Sequence, residues 1–348
     1  MKKMKFIILL MVSVLSISCN SQKNKWTDSD KDIAESQIGE YVTSAFEDSK
    51  RNLWFGTLAK GMAMYDGNEL RYYTRKDGLP SNRVTSVKED KNGLLWFNTG
   101  DGLSKFDGHQ FVNYRVKEDD FGSNMIASLL IDSKNNFWIG TWNGVYKFDG
   151  ENFHPFSIPY PEVDTRINED TRSWISGIEE DPEGNIWFIR DGFGLCKYDG
   201  NSFSYLLKND GLHSNNVTKI LFDKEGSIWI GTRVAEKDNP NPKKRAGKGG
   251  VNKMIGGEII SFLEIDGFND DDVYEIYRDK SEHIWISTIS NGVYKFDGRN
   301  FQNYDIPISI MGMINDQNGN LWLAGAGGLY KLTKNGEIIN VKTNGPWK

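Results

Sequence analysis

A short tryptophan-centred phrase recurs seven times along this 348-residue chain: Leu53-Trp54-Phe55-Gly56-Thr57, then again around Trp96, Trp138, Trp187, Trp229, Trp285 and Trp322. The spacings between successive tryptophans are 42, 42, 49, 42, 56 and 37 residues. A unit of this length that repeats cannot bury its own faces and must stack on copies of itself, as propeller blades do. The best-preserved unit reads as four strands. Val84 to Asp90 is the first, and Leu94 to Thr99, after the turn Asp90-Lys91-Asn92-Gly93, is the tryptophan strand. Gly102 to Phe106 and Gln110 to Tyr114 follow, joined by the hairpin pair Asp107-Gly108, both of whose central residues can take positive φ. The expectation is an all-β fold, a seven-bladed β-propeller of four-stranded antiparallel blades. An aromatic content of 13% and 36 glycines suit short strands and tight turns.

The expected organisation is a signal peptide over 1–18, a lipid-anchored linker over 19–37 and the propeller over 38–348. Lys2, Lys3 and Lys5 precede the apolar run Phe6 to Val14, and Ser16-Ile17-Ser18 leads to Cys19. This pattern of charged start, short apolar run and small residues is too short for a mature membrane span. It resembles a bacterial lipoprotein signal with Cys19 as the lipidated residue, although Ser16 stands where a leucine is usual. The chain is therefore expected to be exported and attached to the membrane by its N-terminal lipid only, facing the periplasm or the cell surface. With Cys19 acylated, Cys196 has no disulfide partner and reads as strand packing. Removal of the three leader lysines takes the formal charge from −6 to −9, which disfavours nucleic acid as a partner.

The phrase Asp77-Gly78-Leu79-Pro80-Ser81-Asn82-Arg83-Val84-Thr85-Ser86-Val87, with Leu95-Trp96-Phe97 and Gly102-Leu103-Ser104-Lys105-Phe106-Asp107-Gly108 after it, resembles the two-component-regulator propeller repeat. Its opening returns as Asp210-Gly211-Leu212-His213-Ser214-Asn215-Asn216-Val217. The resemblance implies an extracytoplasmic sensor propeller, many of which detect glycan fragments. The receptors of that family carry twice as many repeats, a membrane helix and kinase modules, so kinase activity is not expected of this chain itself.

Strand direction alternates within a blade. Turns after the first and third strands therefore open on one face, where they are short and alike, and loops after the second and fourth open on the other, where they vary. Both long insertions, 157–173 and 233–249, leave on the variable face. Candidate ligand-binding residues follow from that position: Lys60, Asp101, Trp142, Arg190, Asp191 and Arg233 after the tryptophan strands, and Tyr41, Arg83, Trp174 and Asp272 before the innermost strands. Aromatic rings beside fixed charges suit a small polar ligand such as a carbohydrate. Arg190 breaks the threonine pattern of its position and is the leading candidate. Lys219 and Glu275, where other blades carry serine or glycine, are expected to meet as a channel pair.

No cofactor and no metal site is expected. The Asp-x-x-Gly turns read as aspartate-capped hairpins, Asp270-Asp271-Asp272 as a solvated loop, and 239–245 as a mobile basic loop. Of four histidines, only His213 reaches the variable face, where an enzyme would need a carboxylate beside it. A ligand-binding propeller is therefore favoured over a protein-interaction scaffold in an envelope complex, and both over a lyase or hydrolase.

Overall fold

The computed structural model describes residues 38–117, 120–161, 173–233, 249–262, 267–268, 272–341 and 345–347. Seven four-stranded antiparallel sheets follow one another in chain order, over 42–73, 84–114, 126–156, 175–206, 217–262, 273–304 and 309–340. First strands of consecutive sheets lie side by side, and that of blade seven lies beside that of blade one, so the ring closes. The architecture is the seven-bladed propeller that the repeat implies. Among the described residues helix is limited to the turn Phe121–Asn124 and two 3-10 turns, Arg75–Asp77 and Lys208–Asp210.

The tryptophans fill the wedges between blades. Trp54 packs with Val84, Val87, Leu95, Phe97 and Phe106 of the next sheet, and Trp322 of blade seven packs with Val42, Leu53 and Phe55 of blade one. An indole cannot be buried cheaply unless its N–H finds an acceptor. In every blade it donates to the aspartate six residues earlier, from Trp54 to Asp48 at 2.8 Å through Trp322 to Asp316 at 3.0 Å. The same carboxylate accepts turn N–H groups, as Asp181 does from Glu183 and Asn185. These turns are thus capped hairpins that also anchor the wedge. Six of the seven rings carry a lysine ammonium from the third strand, with Lys147 closest at 4.2 Å from the Trp138 ring. Blade one has Met64 there.

Among the described residues no sheet is shared across the seam between blades seven and one. The seam is held instead by a bridge between Tyr41 and Ala326 and by the Gly327 N–H donating to the Glu40 carbonyl at 2.8 Å. Ile38, Val341 and Trp347, from outside the first and last strands, pack into the core at this seam. Residues 24–37, including Trp26, which could supply an extra outer strand, lie outside the described residues.

Burial pushes the carboxyls of Asp132, Asp181, Asp223 and Asp279 up, but indole, side-chain and backbone donors outweigh it and hold them below the usual range. A depressed native pKa adds stability above the unfolded value, about 3.9, that is lost as pH falls through it. Denaturant unfolding should therefore give a stability nearly flat from pH 5 to 8 and falling steeply below about pH 4. Asp181→Asn should be less stable at neutral pH and show a shallower acid limb.

Candidate functional site

Blades one to six present the same two backbone points at their variable edge. The first strand opens with a β-bulge, as between Val42 and Ser44 or Ile175 and Gly177. The residue before it offers its carbonyl to the residue after the tryptophan strand: Tyr41 to Leu58, Arg83 to Gly100, Met125 to Trp142, Trp174 to Asp191, Asn216 to Arg233 and Asp272 to Ile289, at 2.9–3.3 Å. Threonine holds the following loop in five blades, its hydroxyl donating to a glycine carbonyl, as Thr57 does to Gly61 at 2.8 Å. A constant frame thus carries divergent side chains around one opening. Tyr41, Arg83, Trp142, Trp174, Asp191, Arg233 and Asp272 all stand on it.

Blades three to five concentrate the aromatic and charged candidates. The rings of Trp142 and Trp174 lie 5.8 Å apart, and Trp142 is 40% exposed. The Trp174 N–H is buried without a protein acceptor among the described residues. Asp191 and Arg233 form an ion pair of 2.9 Å between blades four and five. Arg190 is placed differently from a rim residue. It is buried, and its guanidinium donates to the carbonyls of Ile158 and Pro159 at 3.2 Å and stacks at 4.2 Å on the Tyr160 ring. The arginine holds the first leg of the 157–173 insertion against blade four. Residues 162–172 and 234–248 lie outside the described residues, but both excursions leave the sheets on this face, beside these side chains.

The remaining candidates stand elsewhere on the rim. Tyr41 and Lys60 are exposed on blade one, and Arg83 is half-buried with its Nε lacking a protein acceptor among the described residues. Asp101 pairs with Arg115. Asp272 is buried on blade six, whereas Asp270 and Asp271 lie outside the described residues, as does the basic stretch 239–245. Among the described residues no cluster of three or more histidines, cysteines or carboxylates could hold a metal.

Inside the channel Lys219 Nζ lies 3.5 Å from Glu275 Oε1, and also 3.2 Å from Glu179 Oε1. Glu275, working against burial, and then Glu179 raise the lysine pKa above its ordinary value. Burial, outweighing Lys219 and reinforced by Glu179, raises that of Glu275. Glu179 was missed because it stands two places further along its strand, where other blades carry Phe46, Lys88, Leu130, Leu221, Tyr277 or Ile314. A lone acid in that mostly apolar register was the available signal.

His213 packs its ring against Gly250 and its backbone N–H donates to Asn252 at 3.1 Å. The histidine–carboxylate contacts the structure shows, His154 to Asp149 and His283 to Asp279, belong to the opposite face. Burial pushes the Cys196 thiol up to about 11, in keeping with a packing residue.

The sequence family of the two component regulator propeller matches residues 36–59, 78–101, 120–143 and 211–233, and the chain carries its repeats. Histidine kinase P4 of Formosa agariphila is 27% identical over 179 residues, 47% of this chain and 12% of that protein. The extracellular domain assigned to a hybrid two component system of B. thetaiotaomicron superposes with a TM-score of 0.68 at 20% identity, over 86% of this chain and 39% of that one. A streptogramin B lyase gives 0.65 at 14% identity over 85% and 93%. The chain therefore spans about an eighth of the kinase and two fifths of the sensor domain. The structural likenesses show a common fold.

The channel cluster carries its own prediction. Lys219→Met leaves two carboxylates facing each other in a confined space, and should cost about 2–3 kcal/mol in chemical denaturation at pH 7. Adding Glu275→Gln to it should recover a large part of that loss.

Proposed function

We propose that this chain is an exported, lipid-anchored, ligand-binding propeller of the sensor kind, without kinase or other catalytic activity of its own. It recognises a small polar molecule, such as a glycan fragment, on the variable face over blades three to five. The observation that carries the reading is the coincidence there of the Trp142–Trp174 pair, the Asp191–Arg233 ion pair and the exits of both long insertions. An exposed ring offers an apolar face to a sugar or similar ring, and a fixed ion pair offers donors and acceptors already oriented. The fold is shared with extracellular sensor domains, and the four stretches that match the two component regulator propeller family support the same reading.

Because Arg190 holds the insertion, replacing it would disturb structure and recognition together. Trp142, being exposed, is the cleaner probe. In a thermal-shift screen of oligosaccharides and organic acids, at least one compound should stabilise the native protein. Its affinity should fall about tenfold or more in Trp142→Ala, the equivalent of about 1.4 kcal/mol. Equal stabilisation of both proteins, or none across a broad panel, would refute the reading. For the anchor, Cys19→Ser should abolish incorporation of labelled fatty acid and move the protein from the membrane to the soluble fraction. Unchanged labelling would rule lipidation at Cys19 out.

A further inference from the structure

The face opposite the variable mouth carries a second feature. Between blades six and seven, and between blades seven and one, a cleft opens below the tryptophan where the turns after first and third strands meet. One wall brings the aspartate, tryptophan and lysine of one blade. The other brings the end of the next blade's first strand and its third-to-fourth-strand hairpin. At the positions equivalent to that second wall most blades carry a carboxylate: Glu89 and Asp107, Asp149, Glu180 and Asp199, Asp297, or Glu47 and Asp66. Blade seven places Asn315 and Thr333 there, with Lys334 next to the threonine.

The cleft between blades six and seven, about 280 Å³ in volume, is consequently basic. Its one carboxylate, Asp279, is already occupied by the Trp285 indole at 2.8 Å, the His283 ring at 3.1 Å and the backbone N–H groups of Ser281 and His283. Lys295 lies over the Trp285 ring at 5.4 Å, whereas the equivalent Lys253 and Lys197 pair with their own blade's aspartate at 3.1 and 3.5 Å. Neither Lys295 nor Lys334 pairs with a carboxylate among the described residues. At the junction of blades four and five the equivalent positions, Phe222 and Ile255, also lack an acid, but there Lys197 is neutralised by Asp181. Thr333 accepts the Glu337 N–H at 3.0 Å, which leaves its hydroxyl hydrogen to donate.

We infer that the cleft between blades six and seven is a binding site for a compact oxyanion, a phosphate or sulfate either free or at the end of an ester. Lys295, Lys334 and Thr333 line one space large enough for such an ion with its residual water, and offer it two ammonium groups, each with three rotatable donors, and a hydroxyl donor. The domain as a whole is acidic, so this cleft stands out as a local excess of positive charge that favours an anion. The site is independent of the variable mouth and stands whether or not that mouth binds a ligand.

The test is isothermal titration calorimetry of the full chain with inorganic phosphate, sulfate and glucose 6-phosphate, each balanced with chloride to constant ionic strength. Saturable binding is expected, with a dissociation constant of about a millimolar or below. It should weaken at least tenfold in the double variant Lys295→Met, Lys334→Gln. Blade one already carries a methionine under its tryptophan, so the first change suits the fold, and circular dichroism checks it. Lys105→Met, the same change in blade two, should leave binding intact. Binding by phosphate and sulfate alike assigns the site to a free oxyanion, and binding by glucose 6-phosphate alone assigns it to an ester terminus. Equal affinity in the double variant, equal loss in Lys105→Met, or no saturable heat from any of the three overturns the inference.

Discussion

The indole of each tryptophan, clamped between an aspartate and the next sheet, is the interaction on which this molecule depends. A four-stranded sheet of short strands has two apolar faces and too little area to bury either alone. The ring supplies the volume that fits a wedge widening outward from the channel, and its N–H would be an orphan there without the carboxylate. The aspartate in turn is buried in several blades and needs donors, which the turn backbone and the indole provide together. Turn geometry, wedge filling and carboxylate satisfaction are therefore one device. Its repetition in all seven blades explains why the ring closes without a sheet shared between first and last blade.

That device sits toward the face of short turns and leaves the other edge free. There the frame is backbone: a bulge, a carbonyl accepting from the residue after the tryptophan strand, and a threonine bracing the loop. None of these bonds except the threonine's involves a side chain, so the frame tolerates Tyr41, Arg83, Trp174 or Asp272 at one equivalent point. Divergence collects at the mouth for a physical reason. Arg190 shows what happens when the brace itself changes: the long guanidinium reaches past the loop it would have braced and captures the neighbouring insertion by two carbonyls and an aromatic face.

Nearly all of the architecture was legible in the sequence, because the repeat period, the Asp-Gly hairpins and the tryptophan register are local signals that agree with the global fold. The variable face was legible too, since antiparallel strands fix which loops share an edge. Side-chain partners were not. Reading Asp181 as a turn cap accounted for its backbone bonds but not for its bond to Trp187, which requires knowing how the hairpin folds back. The pairing of Lys219 with Glu275 followed from equivalent positions in adjacent blades, whereas Glu179 reaches the same lysine from a different register. Arg190 stood out as an exception to the threonine pattern, and the partner that explains it lies 31 residues away in an insertion with no counterpart in other blades.

The same logic bears on where charge can accumulate. In a ring of equivalent sheets every position is repeated, so a substitution in one blade is surrounded by the unchanged pattern of the others. A serine-to-lysine change at the channel register is tolerable only if neighbouring blades supply carboxylates, and Glu275 and Glu179 do so from either side. An acid-to-neutral change on the short-turn face has the opposite consequence. Lys295, which it leaves behind, remains where its stacking on Trp285 puts it, since that position depends on the ring more than on the lost carboxylate. Repetition thus turns a single neutral substitution into a local field, and the asymmetry of an otherwise regular propeller becomes the guide to where it can bind.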